Sequence, residues 1–163
     1  RNGKSIRFSE EQIRPSGRKT MGVKGITLSS KDDRLVGMLL IKREGTTVLV
    51  ATEKGFGKRT EISQYRAQKR GGKGVLTMKT TDKVGKMVTI KEVVDKDDLM
   101  IITNQGVLIR QPVAQIRAIG RATQGVKLIK LGEGTLVSSI TRIMSEEEDG
   151  DENNSAEPAG DSE

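Results

Sequence analysis

The chain contains no cysteine, no histidine and no tryptophan, and only three aromatic residues, Phe8, Phe56 and Tyr65. Without cysteine there is neither a disulfide framework nor a thiolate metal site. Without histidine as well, Ser-His-Asp triads, histidine-ligated zinc hydrolysis and histidine acid-base catalysis are excluded. Long apolar runs are missing too. The longest, such as Met38 to Ile41, are about four residues, far short of a membrane span. No charged-then-apolar segment of signal type opens the chain. These absences fit a cytoplasmic protein with no membrane partner. The first residue is Arg1, so the sequence reads as a piece of something longer.

What the chain has is charge, unevenly placed. Among 163 residues, Lys plus Arg is 29 and Asp plus Glu is 22. Nine of the acids, and no base, fall between Ser145 and Glu163. The other 13 acids and all 29 bases lie in residues 1–144, which carry +16. The tail has almost nothing apolar to bury, so it is expected to be disordered. A strongly basic body favours a polyanionic partner, and an acidic tail would compete for the same surface.

The body repeats itself. Gly3-Lys4-Ser5-Ile6-Arg7 aligns with Gly55-Phe56-Gly57-Lys58-Arg59 and with Gly106-Val107-Leu108-Ile109-Arg110. Eleven residues after each arginine comes another: Arg18, Arg70 and Arg121. Four further on are Gly22-Val23, Gly74-Val75 and Gly125-Val126. All these markers share offsets of 52 and then 51 residues. Each copy continues with short runs rich in Val, Ile and Thr, bounded by turn residues, which is the strand signal. In the first copy these are Lys24–Leu28, Val36–Ile41 and Val48–Thr52. The one helical candidate, Glu10–Arg14, is cut by Pro15. The expectation is an all-β array of four-stranded blades over residues 1–144, with repeats at about 1–52, 53–103 and 104–144, followed by the tail at 145–163. Units this small bury their apolar faces only by stacking on neighbours.

Equivalent positions on successive blades fall on equivalent places of one rim. Arg7, Arg59 and Arg110 would form one row of cations. Arg18, Arg70 and Arg121 would form a second, with Lys19, Lys24, Lys58, Arg66, Lys73 and Lys127 nearby. A curved row of cations suits a bent duplex held phosphate by phosphate, without reading sequence. The densest segment is Gln68-Lys69-Arg70-Gly71-Gly72-Lys73-Gly74. Its glycines permit close backbone approach, and its consecutive N–H groups are expected to form an anion-binding concavity. It lacks Walker spacing. Three aromatics are too few for the stacking platforms of a single-strand binder. Tyr65 has no activating partners in sequence, and Asp32-Asp33 and Asp97-Asp98 read as turn acids.

This heptad resembles the box motif of the C-terminal domain of the DNA gyrase A subunit. The segments Glu53–Thr60 and Gly120–Val126 are similar to that family as well, and the resemblance covers residues 1–144. It implies a β-pinwheel, a propeller-like disc usually of six blades with strands exchanged between neighbours, of which three repeats would be the C-terminal half. It implies wrapping of duplex DNA on a basic rim in support of ATP-dependent negative supercoiling. It implies partners in the B subunit of gyrase and in the rest of its A subunit. Strand cleavage and the ATP and magnesium sites would lie elsewhere, leaving this chain non-catalytic and without its own cofactor. Two departures stand out. Lys69 occupies a position usually held by arginine, and the box lies in the penultimate repeat rather than the first blade.

Three alternatives stay open: the related C-terminal domain of topoisomerase IV, a basic propeller that binds proteins, and an RNA-associated basic protein. The wrapping reading predicts that deleting residues 145–163 tightens duplex binding at low salt. A titration of both chains checks it, and equal affinities would remove the tail from the picture.

Overall fold

A computed structural model of the chain describes residues 1–144. The acidic segment 145–163, expected to be disordered, lies outside the described residues. The strands are β1 (Lys4–Ser5), β2 (Thr47–Thr52), β3 (Phe56–Glu61), β4 (Val75–Leu76), β5 (Met87–Val93), β6 (Asp98–Thr103), β7 (Leu108–Pro112), β8 (Val126–Lys127) and β9 (Val137–Ile143). Single 3-10 turns stand at Glu10–Gln12, Ile62–Gln64 and Val113–Gln115. The segment read as a lone helical turn is therefore a feature of every copy.

The hairpins follow the sequence pattern. β2 turns back into β3, pairing Val50 with Lys58 and Val48 with Thr60. β6 and β7 repeat this one copy later, pairing Ile101 with Ile109 and Leu99 with Gln111. In both turns a glycine N–H closes the bend, Gly55 on the Thr52 carbonyl at 3.0 Å and Gly106 on that of Thr103 at 3.1 Å.

The copies are joined by exchanged strands. β4 pairs with β1 from the copy before it, Lys4 opposite Leu76 and Ser5 opposite Val75. β8 pairs with β3 in the same way, Phe56 opposite Lys127 and Gly57 opposite Val126. Single parallel bridges join Arg7 to Ala67 and Arg59 to Ala118. Glycine is required where the exchanged strand enters. Gly125 has φ +77, and a Cβ there would stand 2.6 Å from the Gly57 carbonyl oxygen. Gly74 meets the Ser5 carbonyl in the same manner with φ +69. Both the dihedral and the contact forbid a side chain.

Each blade thus draws on more than one copy. The complete sheet has the order β5-β2-β3-β8, and a second has the order β7-β6-β9. β1 and β4 make the remaining pair. This antiparallel all-β array is the expected fold class, with one correction. Lys24–Leu28 and Val36–Ile41 form no strand. Their counterparts β4, β5, β8 and β9 each pair with a strand of the preceding copy, and no preceding copy lies among the described residues. Without that partner, Lys24–Leu28 makes only irregular bonds to the 68–74 loop, Thr27 N–H to the Gly72 carbonyl at 2.9 Å and Gly71 N–H to the Gly25 carbonyl at 2.7 Å. Apolar side chains of Val36–Ile41 are open as well, with Met38 87% and Leu40 52% exposed.

β2 shows how the blades stack. All six of its residues are buried. Leu49 and Ala51 enter one core with Val93, Leu99, Ile101, Val113, Ile116, Val137 and Ile140. Val48 and Val50 point the other way, into a second core with Tyr65, Met78 and Met87. Alternate residues of a strand face opposite sides, so this strand is core on both. β6 alternates buried and half-buried residues, because only one of its faces is covered.

An ionic network ties the sheets together. Arg43 donates to both carboxylate oxygens of Asp97 at 3.0 and 2.7 Å and to the Glu92 carbonyl at 3.2 Å. Arg142 donates to the same carbonyl at 3.0 Å. Burial raises the pKa of Asp97 and of Glu92, but the hydrogen bonds they accept outweigh it and hold both below the usual carboxylate values. Carboxylates depressed in the folded state stabilise it above their unfolded pKa, and that contribution is lost as pH falls through the folded value.

Two outcomes follow. Thermal unfolding scanned by circular dichroism should drop steeply below about pH 4, and Asp97→Asn should blunt that drop. Gly125→Ala should cost about 3 kcal/mol in a urea titration, since a strained φ and a backbone clash coincide.

Candidate nucleic-acid interface

The arginines of the first row are hydrogen-bonded or ion-paired within the protein, and for Arg59, which is buried, this corrects the expected role. The Arg7 guanidinium donates to the carbonyls of Ile62 and Tyr65 at 3.2 and 3.1 Å. Arg59 is only 8% exposed, donates through Nε to the Ile116 carbonyl at 2.7 Å, and pairs with Asp95. Tyr65 and Ile116 hold matching places in their copies, so both arginines clamp the 3-10 turn of the following copy. Arg110 pairs with Asp98 of its own hairpin at 2.6 Å. Lys58, expected at the DNA surface, is 0% exposed and hydrogen-bonded inside the protein. A buried, paired cation cannot seat a phosphate.

The heptad Gln68–Gly74 forms a loop between the 62–64 turn and β4. Three of its amides are engaged within the protein. The Arg70 N–H donates to Gln12 Oε1 at 2.8 Å, and the Gly71 N–H to the Gly25 carbonyl at 2.7 Å. The Gln68 N–H donates to the Arg7 carbonyl at 2.8 Å. The Arg70 side chain is engaged as well, with Nε on the Gln12 carbonyl at 3.3 Å and Nη1 on that of Lys24 at 2.8 Å. Arg121 repeats this set one copy later. Its N–H meets Gln64 Oε1 at 3.1 Å, its Nε meets the Gln64 carbonyl at 3.0 Å, and its Nη1 meets the Leu76 carbonyl. Both arginines are half-buried. They fasten each loop to the copy before it and keep only part of the guanidinium for solvent. Gly72 is half-buried, and Lys69 and Lys73 of this loop are exposed.

A third row escapes the sequence reading. Arg14, Arg66 and Arg117 recur at the same 52 and 51 offsets, each two residues after a repeated glutamine, Gln12, Gln64 and Gln115. Only Arg66 is among the expected contacts. All three are exposed, and their side chains make no hydrogen bond or ion pair among the described residues. Arg66 and Arg117 each stand one residue before a bridging alanine, so the same inter-copy bridge places both. The repeated Gln-X-Arg triplet is the signal that could have found them.

Further exposed cations lie on the same copies. Arg18, Lys19 and Lys24 are exposed on the strandless stretch of the first copy. The Lys24 carbonyl receives Arg70, and its Cδ lies near Gly71, which puts it beside the heptad loop. Lys127 is exposed, with its Nζ 5.6 Å from the centre of the Phe56 ring. Tyr65 is a buried core residue, and burial pushes its hydroxyl pKa up. The result is a set of exposed, unpaired cations on a rigid, repeating frame. Such a surface can bind a polyanion along its backbone, and it offers few flat groups for stacking on bases. No helix among the described residues is long and apolar enough to cross a membrane.

Comparison with known proteins agrees with this geometry. A family model described as "DNA gyrase C-terminal domain, beta-propeller" matches residues 1–42, 46–93 and 97–143. The chain is 48% identical over 144 residues to the DNA gyrase A subunit of Staphylococcus epidermidis, covering 88% of this chain and 16% of that protein. It is 47% identical over 153 residues to the corresponding protein of Staphylococcus aureus, covering 93% and 17%. It therefore spans about a sixth of the length of these curated relatives. Among solved structures, a DNA gyrase A C-terminal domain matches with a TM-score of 0.75 at 24% identity, covering 88% of this chain and 48% of that one. The C-terminal domain of DNA topoisomerase IV matches with a TM-score of 0.82 at 23% identity, covering 88% and 44%. These two structures share the fold. With a family model matched in three successive segments across nearly all the described residues, this chain belongs to the DNA gyrase C-terminal domain family.

Proposed function

We propose that this chain binds duplex DNA without sequence preference along its exposed arginine and lysine row, and wraps it, as the non-catalytic C-terminal part of the larger gyrase polypeptide. One observation carries the reading. Arg14, Arg66 and Arg117 occupy matching places in three successive copies, all exposed and all without a partner among the described residues. Lys69, Lys73 and Lys127 add further exposed charge. Bending a site of twenty to thirty base pairs costs on the order of 1–6 kcal/mol, so a row of several phosphate contacts is needed to offset it. Wrapping of fixed hand would serve ATP-dependent negative supercoiling by the assembled enzyme, whose B subunit, together with the rest of its A subunit, would be the partners. The heptad then acts chiefly as a fastening: Arg70 locks the loop, and Lys69 and Lys73 face the DNA.

Duplex binding measured across a salt series tests this, together with the linking number of a relaxed circle closed by ligase. Each lost phosphate contact flattens the slope of log K against log salt by about 0.9. Replacing Arg14, Arg66 and Arg117 together by alanine should flatten it by between about 2 and 3, equally for all sequences. Arg7→Ala should leave the slope unchanged in folded protein. Binding that depends on sequence, or a triple variant with the wild-type slope, would refute the assignment.

A further inference from the structure

The 68–74 and 119–125 loops are supported from beneath by different side chains. Residues 6 and 58 hold matching positions in the first and second copies. Under the heptad loop the support is apolar: Ile6 Cδ1 lies 3.4 Å from where a Cβ on Gly72 would stand. Under the 119–125 loop it is the ammonium group of Lys58, with no surface exposed. Its Nζ donates to the Gly120 carbonyl at 2.7 Å, to Thr123 Oγ1 at 3.1 Å and to the Arg121 carbonyl. The Thr123 carbonyl stands at 3.4 Å. Four oxygens of one short loop thus converge on one ammonium.

The charges facing this group are few. On its own strand, Gly57 is neutral and Arg59 is paired with Asp95. Across the ladder on β2 stands Val50. From the loop comes the Arg121 guanidinium, a second cation. A buried ammonium held by neutral carbonyl and hydroxyl dipoles is costly to charge, and a neighbouring cation adds to that cost.

Resting on the DNA-binding reading above, we propose that Lys58 is a positioning residue for the third-copy loop. Its protonated form holds Gly120, Arg121 and Thr123 in the arrangement that presents the loop to a duplex phosphate, and phosphate binding there in turn favours the proton on Lys58. Linkage requires this reciprocity, because an anion beside Arg121 relieves the repulsion between the two cations. The relevant pH is accessible. Burial first, and Arg121 second, lower the Lys58 pKa to about 8. The folded-state pKa is depressed, so the charge needed for the loop is present below that pH and lost above it. The heptad loop, with Ile6 beneath it, has no such dependence.

The test uses the full chain with its amino terminus acetylated, which removes the α-amino group from the proton count, and a long mixed-sequence duplex. With no histidine or cysteine present, few other groups titrate in this range. Affinity is followed from about pH 6.5 to about pH 9.5 at fixed ionic strength, and proton uptake by calorimetry in buffers of different ionisation heat. Wild type should lose up to about tenfold in affinity across that range and take up about 0.4 proton on binding near pH 8. Lys58→Met should bind more weakly at low pH, show a flat profile and take up no proton. The wild-type uptake needs no variant, so a misfolded Lys58→Met chain leaves the test intact. Wild type that binds with neither pH dependence nor uptake overturns this inference alone. Wild type that binds no duplex at low salt overturns the DNA-binding reading and this inference with it.

Discussion

The backbone pairing between one copy and the next is the constraint on which everything else depends. β4 completes the strand ahead of it in β1, and β8 does so for β3. A copy of about fifty residues has too little apolar surface to cover both faces of its own sheet. Exchanging a strand gives each copy hydrogen bonds it cannot make alone. It also fixes the register, because Gly74 and Gly125 admit the incoming strand at one position only. With the register fixed, every repeated side chain lands in an equivalent place.

That regularity explains how the arginines divide their labour. Three rows share one composition and one period, yet they do different work. The row of Arg7 and Arg59 reaches forward to the carbonyls of the next copy's turn. The row of Arg70 and Arg121 reaches back to the glutamine of the preceding copy. Carbonyl groups at the ends of short turns lack ladder partners, and a planar guanidinium with five donors can satisfy several at once. The row of Arg14, Arg66 and Arg117 meets no carbonyl among the described residues and is left to solvent.

The repeat, the hairpins and the family resemblance are legible because each rests on local sequence: turn glycines, alternating Val and Ile, and constant offsets. The division among the rows is not. Arg59 and Arg66 look alike in sequence, and what separates them is whether a neighbouring copy presents a carbonyl or open water. Lys58 misleads for a related reason. A lysine beside an arginine in a basic segment reads as surface, and its burial depends on a loop more than sixty residues further on. Val36–Ile41 has a good strand pattern and forms none, since a strand needs a partner as well as a propensity. The Gln-X-Arg triplet is visible at the right offsets and easily passed over, because glutamine carries no charge.

The two-sided burial of β2 has a consequence for how the molecule comes apart. A strand whose alternate residues belong to two cores cannot leave either one without opening both. β6 belongs to one core only, and the stretch before β2 to none that is closed. Stability should therefore be graded along the array like a one-dimensional lattice with nearest-neighbour coupling, highest at the middle and lowest at the ends. Amide hydrogens of β2 and β3 would exchange last, by global opening, while those of β7 and the first copy exchange through local fraying. A surface proposed to follow a curved duplex would gain from such a gradient, because its ends could yield while its centre keeps the spacing of the cations.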